Sequence, residues 1–176
     1  AFSNAMYYEN RLCTFPSPDG LASKVGFHFV EDGTYDRGLT KRNKAEVDAL
    51  VAEVIRRLAD SKASKQSLGI VTFSNIQKEY IERRLTTAIA EKRLESVAYD
   101  REEPLFVKNL ENVQGDERDV ILFSVCYGPD KMGRVSLNFG PLNQFGGWRR
   151  LNVAVTRARE EMMVFSSMTG AMIDLS

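Results

Sequence analysis

The chain has 176 residues, 43% of them hydrophobic and 27% charged, which suits one globular domain with a core of its own. Its 24 basic and 24 acidic residues cancel, so net charge gives no attraction to nucleic acid and any such role requires a local patch. Cys13, Cys126 and His28 are too few for a disulfide framework or a zinc site, and no run resembles a signal peptide or a membrane span; we therefore expect a cytoplasmic protein with buried, reduced thiols and no membrane partner.

Two short strands are predicted near the start of the chain. Residues 11–15 form an apolar segment that ends at a run of proline, serine, aspartate and glycine. Residues 25–30 form another, which places Phe27 and Phe29 on one face and His28 on the other.

Two amphipathic helices follow. Asn43 can cap the first, with Glu46 at the third helical position as a variant of the capping box. The predicted buried face of this helix consists of Val47, Leu50, Val51, Val54, Ile55 and Leu58. Ser74 and Asn75 can cap the second helix. Its predicted buried face consists of Ile76, Tyr80, Ile81, Leu85 and Ile89.

The second half of the chain alternates strands with other elements. Apolar runs at 68–73, 105–110, 120–127 and 162–166 predict four strands, and residues 128–143 predict an irregular or hairpin insertion. This alternation predicts a layered α/β fold with a mostly parallel sheet. Since no repeat or linker is visible, we expect one domain.

A basic segment precedes the last strand. Residues 149–160 contain four arginines, and the spacing of Leu151, Ala154, Val155 and Ala158 is that of one buried helical face. The segment is therefore predicted to be a helix. Its arginines are either a solvated surface or, because guanidinium groups fork onto phosphate oxygens, an anion-binding site.

Polar segments follow the predicted strands at 72–77, 111–119 and 139–150. Ligands of parallel sheets bind outside the carboxyl ends of the strands, so we expect these segments to lie together there. Taken alone, Gln77 is expected to be a solvated helix residue, and residues 111–119 a charged surface turn with a glycine that permits tight turning.

The order of these segments resembles the second RecA-like domain of superfamily 1 helicases of the Upf-like branch. LGIVTFSNIQ at 68–77 is similar to helicase motif IV, ENVQGDERDVILFS at 111–124 to motif V, and RRLNVAVTRARE at 149–160 to motif VI. RNKAEV at 42–47 matches a lesser family pattern, and residues 2–12 resemble the segment that enters this domain. The resemblance implies that residues 1–176 form a single three-layer RecA-like domain of the P-loop NTPase type.

The resemblance also implies roles in ATP hydrolysis. Arg157 matches the arginine finger that reaches the γ-phosphate of ATP from across the domain cleft, where a cation stabilises the transferring phosphoryl group. Further residues match positions that line the nucleotide cleft or offer phosphate contacts, namely Gln114, Gly115, Glu117, Arg150 and Arg159. Glu117 is expected near the ribose of ATP, and Gln114 is expected to couple the nucleotide cleft to the nucleic-acid strand. For Arg159, a structural ion pair is an equal alternative to phosphate contact.

The implied partner is single-stranded nucleic acid, with DNA favoured over RNA. Thr72 and Asn112 are expected to contact the strand through hydroxyl, amide or backbone groups. One departure from the family occurs at Val113, where relatives more often carry an aromatic residue before Gln-Gly.

Half of an ATPase site is missing from the sequence. A phosphate-binding loop needs Gly-Lys, which occurs nowhere in the chain, and no apolar strand ends in Asp-Glu. By resemblance both belong to a first RecA-like domain, which is expected to precede Ala1, to bind most of the ATP and Mg²⁺, and to be the main protein partner. The chain alone is expected to be inactive.

Two other classes of protein are weighed against a helicase. A nuclease of the PD-(D/E)xK type is not favoured, since no Glu-x-Lys occurs and the one Asp-x-Lys, at residues 60–62, lies in a predicted loop. A non-catalytic RecA-like interaction module that has lost ATP coupling remains the alternative. Arg157, Gln114 and Glu117 argue against it.

Overall fold

The computed structural model describes residues 2–9, 11 and 24–173. Within these ranges the chain forms a five-stranded, all-parallel sheet in the order β1-β5-β4-β2-β3. The strands are β1 Val25–Phe29, β2 Leu68–Thr72, β3 Phe106–Asn109, β4 Arg118–Ser124 and β5 Ala158–Ser166. The predicted strand at residues 11–15, and Cys13 within it, lie outside the described residues.

Five α-helices are present in the described ranges, together with three short 3₁₀ turns. The helices are α1 Phe2–Tyr7, α2 Lys44–Ala59, α3 Asn75–Lys92, α4 Glu95–Tyr99 and α5 Gly147–Val155. The 3₁₀ turns are Ala63–Lys65, Gly140–Leu142 and Gly170–Met172. None of the helices in the described part of the chain combines the length and apolarity that crossing a lipid bilayer requires.

The sheet separates two apolar clusters. One joins the buried faces of α2 and α3 to the sheet through residues such as Leu50, Ile81 and Leu122. The other packs α5 and the segment after β3 against the opposite sheet face through Ala154, Val113 and others. The α/β fold with three layers is therefore confirmed.

A buried polar cluster ties the two large helices to the carboxyl end of the sheet. The Asn43 side chain accepts the backbone N–H of Glu46, which confirms Asn43 as the helix cap. The Asn43 backbone N–H, however, donates to the Gln77 side-chain oxygen at 3.0 Å. The Glu46 carboxylate turns inward and accepts from the Ser124 hydroxyl at 2.6 Å. The expectation of a solvated Gln77 is thus wrong, because its amide satisfies buried backbone groups that nothing in its local helical spacing reveals.

The predicted helix over 149–160 is wrong in its second half. The helix begins at Gly147 and ends at Val155, and a turn at Thr156 leads to Arg157, which lies in neither a helix nor a strand. Ala158 then opens β5 opposite Arg118 of β4. Backbone pairing in the parallel sheet therefore overrides the helical spacing of Ala158, as tertiary context often does.

Two other boundaries differ from prediction. The short helix α4 was not predicted, and β4 ends at Ser124 rather than at residue 127. Cys126, a free and buried cysteine, adopts φ +71, which departs from the strand conformation and lets its N–H donate to Glu46 at 2.7 Å.

Candidate functional site

The polar loop after β3 runs from the carboxyl end of the sheet to its amino end, where β4 begins. The Asn109 side-chain oxygen accepts the N–H groups of Glu111 and Asn112, which fixes the turn at the carboxyl end of β3. Val113 is fully buried in the apolar cluster under α5, so the position that departs from the family is a packing position. Gly115 has φ +89, a conformation that favours glycine, and the loop ends where β4 begins.

Arg157 and Glu117 meet at the amino end of the sheet. One terminal nitrogen of Arg157 lies 3.7 Å from a carboxylate oxygen of Glu117. The two residues stand just before β5 and β4, and the Arg118 N–H donates to the Arg157 carbonyl at 3.1 Å. The expectation that residues 111–119 lie at the carboxyl ends of the strands is therefore wrong for Glu117, because the loop carries the chain back to the amino end of the sheet, where β4 begins.

The Arg157 side chain is oriented by neutral acceptors of its own segment. Its Nε donates to the Val153 carbonyl at 2.8 Å, and a terminal nitrogen donates to the Thr156 hydroxyl at 2.9 Å. The side chain is 19% exposed, whereas that of Glu117 is 52% exposed. The guanidinium is thus positioned by the end of α5, and one of its partners is an accessible carboxylate.

Gln114 and Arg150 face a separate cavity. Arg150 donates to the Pro141 carbonyl at 3.2 Å, and Gln114 is exposed. The cavity has a volume of about 340 Å³ and is lined by Leu110, Glu111, Gln114, Arg149, Arg150 and Val153. The motif V loop therefore contributes to two places: Gln114 to this cavity and Glu117 to the contact with Arg157.

Arg159 belongs to an ion-pair network at the start of the strands. It pairs with Glu103, and with Asp119 at 2.9 Å, and it donates to the Ser67 hydroxyl at 2.9 Å. The hydrogen bond from Arg159 lowers the pKa of Glu103 to about 2. These contacts match the structural alternative for Arg159 rather than a free phosphate ligand.

Thr72 and Asn112, the two residues predicted to contact single-stranded nucleic acid, differ in accessibility. Thr72 is fully buried, its carbonyl accepts the Leu110 N–H, and its hydroxyl has no hydrogen-bond partner among the residues that the structure describes. This burial gives no support to a contact between the Thr72 hydroxyl and nucleic acid. Asn112 is exposed beside the loop, where such a contact is sterically open.

Sequence reasoning did not assign a role to Phe145 or Trp148. Both are large apolar side chains exposed at the start of α5. The available signal was an aromatic pair around two glycines, directly before Arg149 and Arg150. Within the described part of the chain, no three His, Cys, Asp or Glu side chains gather in a way that could hold a metal ion.

Comparison with known proteins assigns this chain to a family. The family described as AAA domain matches residues 1–169. An uncharacterized ATP-dependent helicase of Mycoplasma genitalium is 34% identical over 97% of this chain. A DNA replication ATP-dependent helicase/nuclease of Arabidopsis thaliana is 24% identical over 68% of it. The chain spans 15% and 7% of the lengths of these two relatives.

Among solved structures, the chain is similar to the C-terminal domain of a possible DNA helicase from Lactobacillus plantarum. The two are 14% identical, with a TM-score of 0.44, and the match covers 87% of this chain and 80% of the other. The family match covers nearly the whole sequence and includes motifs IV, V and VI. The chain belongs to the AAA domain family and is the C-terminal RecA-like domain of a superfamily 1 helicase of the Upf-like branch.

Proposed function

We propose that this chain is the second motor domain of an ATP-dependent helicase or translocase, and that Arg157 is its arginine finger. The observation that carries the proposal is the meeting of Arg157 and Glu117 at the amino end of the sheet, 3.7 Å apart. Motif V and motif VI supply these residues from separate segments, and a nucleotide bound between two domains needs a cation and an acceptor near one another.

The bonds that hold Arg157 suit a residue that acts only when a nucleotide arrives. Its partners are a carbonyl, a hydroxyl and an exposed carboxylate. A γ-phosphate offers charged oxygens to a guanidinium, and such charge-assisted bonds are stronger than bonds to neutral acceptors. Arg157 would then stabilise the charge of the transferring phosphoryl group, while Glu117 would accept from the ribose.

The nucleotide site would be completed by a first RecA-like domain of the same protein. That domain would bind most of the ATP and its Mg²⁺, and Arg157 would reach the γ-phosphate from this domain. The chain contains no Gly-Lys pair for a phosphate-binding loop. We therefore propose that the isolated chain hydrolyses no ATP.

The track would be a single strand, with DNA favoured over RNA. Gln114 and the exposed Asn112 lie in the same loop as Glu117, so movement of this loop would connect strand and nucleotide. Gly115, with φ +89, stands between these residues and gives the loop its turn. Alternating grip on the strand by the two domains would produce directional movement.

The test is the full-length protein with Arg157→Ala. ATP hydrolysis should collapse by about three to five powers of ten, the range reported for arginine fingers, while single-strand binding survives. Arg56→Ala is the matched control, since Arg56 is an exposed arginine on α2, across the sheet from α5. Turnover by Arg157→Ala equal to that of the control would contradict the proposal and would favour a RecA-like interaction module without ATP coupling.

A further inference from the structure

Two exposed aromatic side chains at the start of α5 have no part in the ATP site proposed above. Phe145 is 99% exposed and Trp148 is 52% exposed. Between them, a Cβ added at Gly147 would lie 2.1 Å from the Leu142 carbonyl oxygen, so the backbone here packs tightly. The rings are thus presented to solvent from a closely packed turn, and exposed aromatic clusters are typical of binding surfaces.

Trp148 is held in place by its neighbours. Its ring stacks on Tyr7 of α1, with ring centroids 5.7 Å apart and an angle of 16° between the planes. The Arg149 guanidinium lies 5.0 Å from the centroid of the same ring. The Asn152 amide also donates to the Tyr8 hydroxyl at 3.2 Å, which fastens the α1 segment to α5. These contacts hold the Trp148 ring in one orientation while about half of the residue stays exposed.

Cationic groups lie close to the Trp148 ring, which the Arg149 guanidinium contacts. Arg149 and Arg150 both line the cavity of about 340 Å³ that also contains Gln114 of motif V. Glu111 lines the same cavity and opposes an anion there, but the two guanidinium groups outnumber its one carboxylate. Guanidinium groups bind phosphate oxygens in forked geometry, so a phosphate is the anion that this wall fits best.

We propose that Phe145 and Trp148 form a base-stacking platform for single-stranded nucleic acid, with the strand phosphates beside Arg149 and Arg150. The proposal rests on the function proposed above and names where the strand is held. Stacking on aromatic rings is tolerant of sequence because every base has a flat face, which suits a protein that moves along its track. Bases also stack on arginine planes, so the Arg149–Trp148 pair extends the platform.

A protein partner is the competing occupant, since tryptophan and arginine are also frequent in protein interfaces. The arrangement favours a strand because rings and guanidinium groups occur within six consecutive residues, from Phe145 to Arg150. This spacing serves the bases and the phosphates of one strand at once. The cavity of about 340 Å³ continues the same surface, because it is lined by Arg149 and Arg150 and also by Gln114 of motif V.

The test compares strand binding by the full-length protein with and without bases. Fluorescence anisotropy would measure affinity for a labelled oligothymidylate and for an abasic strand of equal length. Phe145→Ala and Trp148→Ala should each weaken binding to oligothymidylate about tenfold, and hardly change binding to the abasic strand. Trp148→Phe should recover most of the affinity, and Leu39→Ala, which removes an exposed side chain without a ring, should behave as wild type.

Phe145→Ala is expected to fold normally, because a side chain that is 99% exposed contributes little to folding, so a loss of binding by this variant cannot be ascribed to unfolding. If the aromatic variants bind oligothymidylate and the abasic strand with equally reduced affinity, the stacking platform is contradicted. If both variants bind with the affinity of the wild type, the platform is also contradicted, and a protein partner becomes the favoured occupant of this surface. If the wild-type protein binds neither strand, the function proposed above fails as well. If the wild type binds and the aromatic variants bind equally well, only the platform is contradicted.

Discussion

The Glu46 carboxylate on α2 accepts a 2.6 Å hydrogen bond from the Ser124 hydroxyl at the end of β4, although 78 residues separate them in the chain. The same oxygen accepts the Cys126 N–H at 2.7 Å. All three residues are fully buried, and burial raises the pKa of Glu46 to about 8. This contact fastens the first turn of α2 to the carboxyl end of the sheet while keeping the carboxyl group protonated below that pH.

The raised pKa of Glu46 predicts a pH dependence of stability. In the unfolded chain this group would ionise near its ordinary pKa of 4.5, whereas in the folded domain it does so only at about 8. The folded state therefore holds an extra proton between these values, and the free energy of unfolding falls as pH rises from about 5 through 8, by the order of 1 kcal/mol or more. Glu46→Gln, a neutral side chain of similar shape, should flatten this decline.

Urea unfolding at pH 5.5 and pH 8 measures that difference. Asp48→Asn is a suitable control, because Asp48 is a half-exposed carboxylate on the same helix, paired with Arg84 at the surface. A Glu46→Gln variant whose stability declines with pH as steeply as that of the wild type would show that Glu46 is not the titrating group.

Gly115 offers a prediction about the motif V loop. Gly115→Ala should cost about 1 kcal/mol of stability, because its φ of +89 is unfavourable for a residue with a Cβ, although no atom lies within 4 Å of the added carbon. Gly133→Ala is matched in both respects, with φ +75 and open space, but lies in the insertion before α5. In the full-length protein, strand-stimulated ATP hydrolysis should fall for Gly115→Ala alone; equal activity of the two variants would mean that the loop has no part in coupling.

Arg159 is predicted to act on stability through its ion pairs. Its side chain and that of Glu103 are 40% and 34% exposed, so solvent screens their attraction and Arg159→Ala should cost less than about 1 kcal/mol. Added salt should shrink the difference between variant and wild type, because screening weakens surface ion pairs. Thermal unfolding at 50 mM and 500 mM salt checks this; a loss that does not change with salt would point to packing instead.

The sequence was sufficient for features that depend on local patterns. The apolar run at 68–73 predicted a strand buried on both faces, which the structure forms over Leu68–Thr72, and Asn43 predicted the start of α2. The roles of Glu117 and Arg157 come from the resemblance to motifs V and VI and not from a local pattern; the structure brings these two side chains within 3.7 Å of each other, and their roles stay predictions.

Features that depend on contacts between distant segments could not be predicted in this way. Ala158 fits a helical stripe, yet pairing with Arg118 places it in a strand. Gln77 has the sequence neighbours of a solvated helix residue, yet its side chain, on α3, hydrogen-bonds to the backbone N–H and carbonyl of Asn43, the cap of α2. In both cases the decisive partner lies more than 30 residues away, where neither periodicity nor capping rules carry information.

As the proposed arginine finger, Arg157 would stabilise the transition state of ATP hydrolysis from this domain. The most direct measurement is the single-turnover rate of ATP hydrolysis by the full-length protein at saturating ATP and single-stranded DNA. We predict a loss of about three to five powers of ten for Arg157→Ala, with Arg157→Lys intermediate because an ammonium keeps the charge but not the fork. An Arg157→Ala rate equal to that of Arg56→Ala, with strand binding intact in both, would contradict the account.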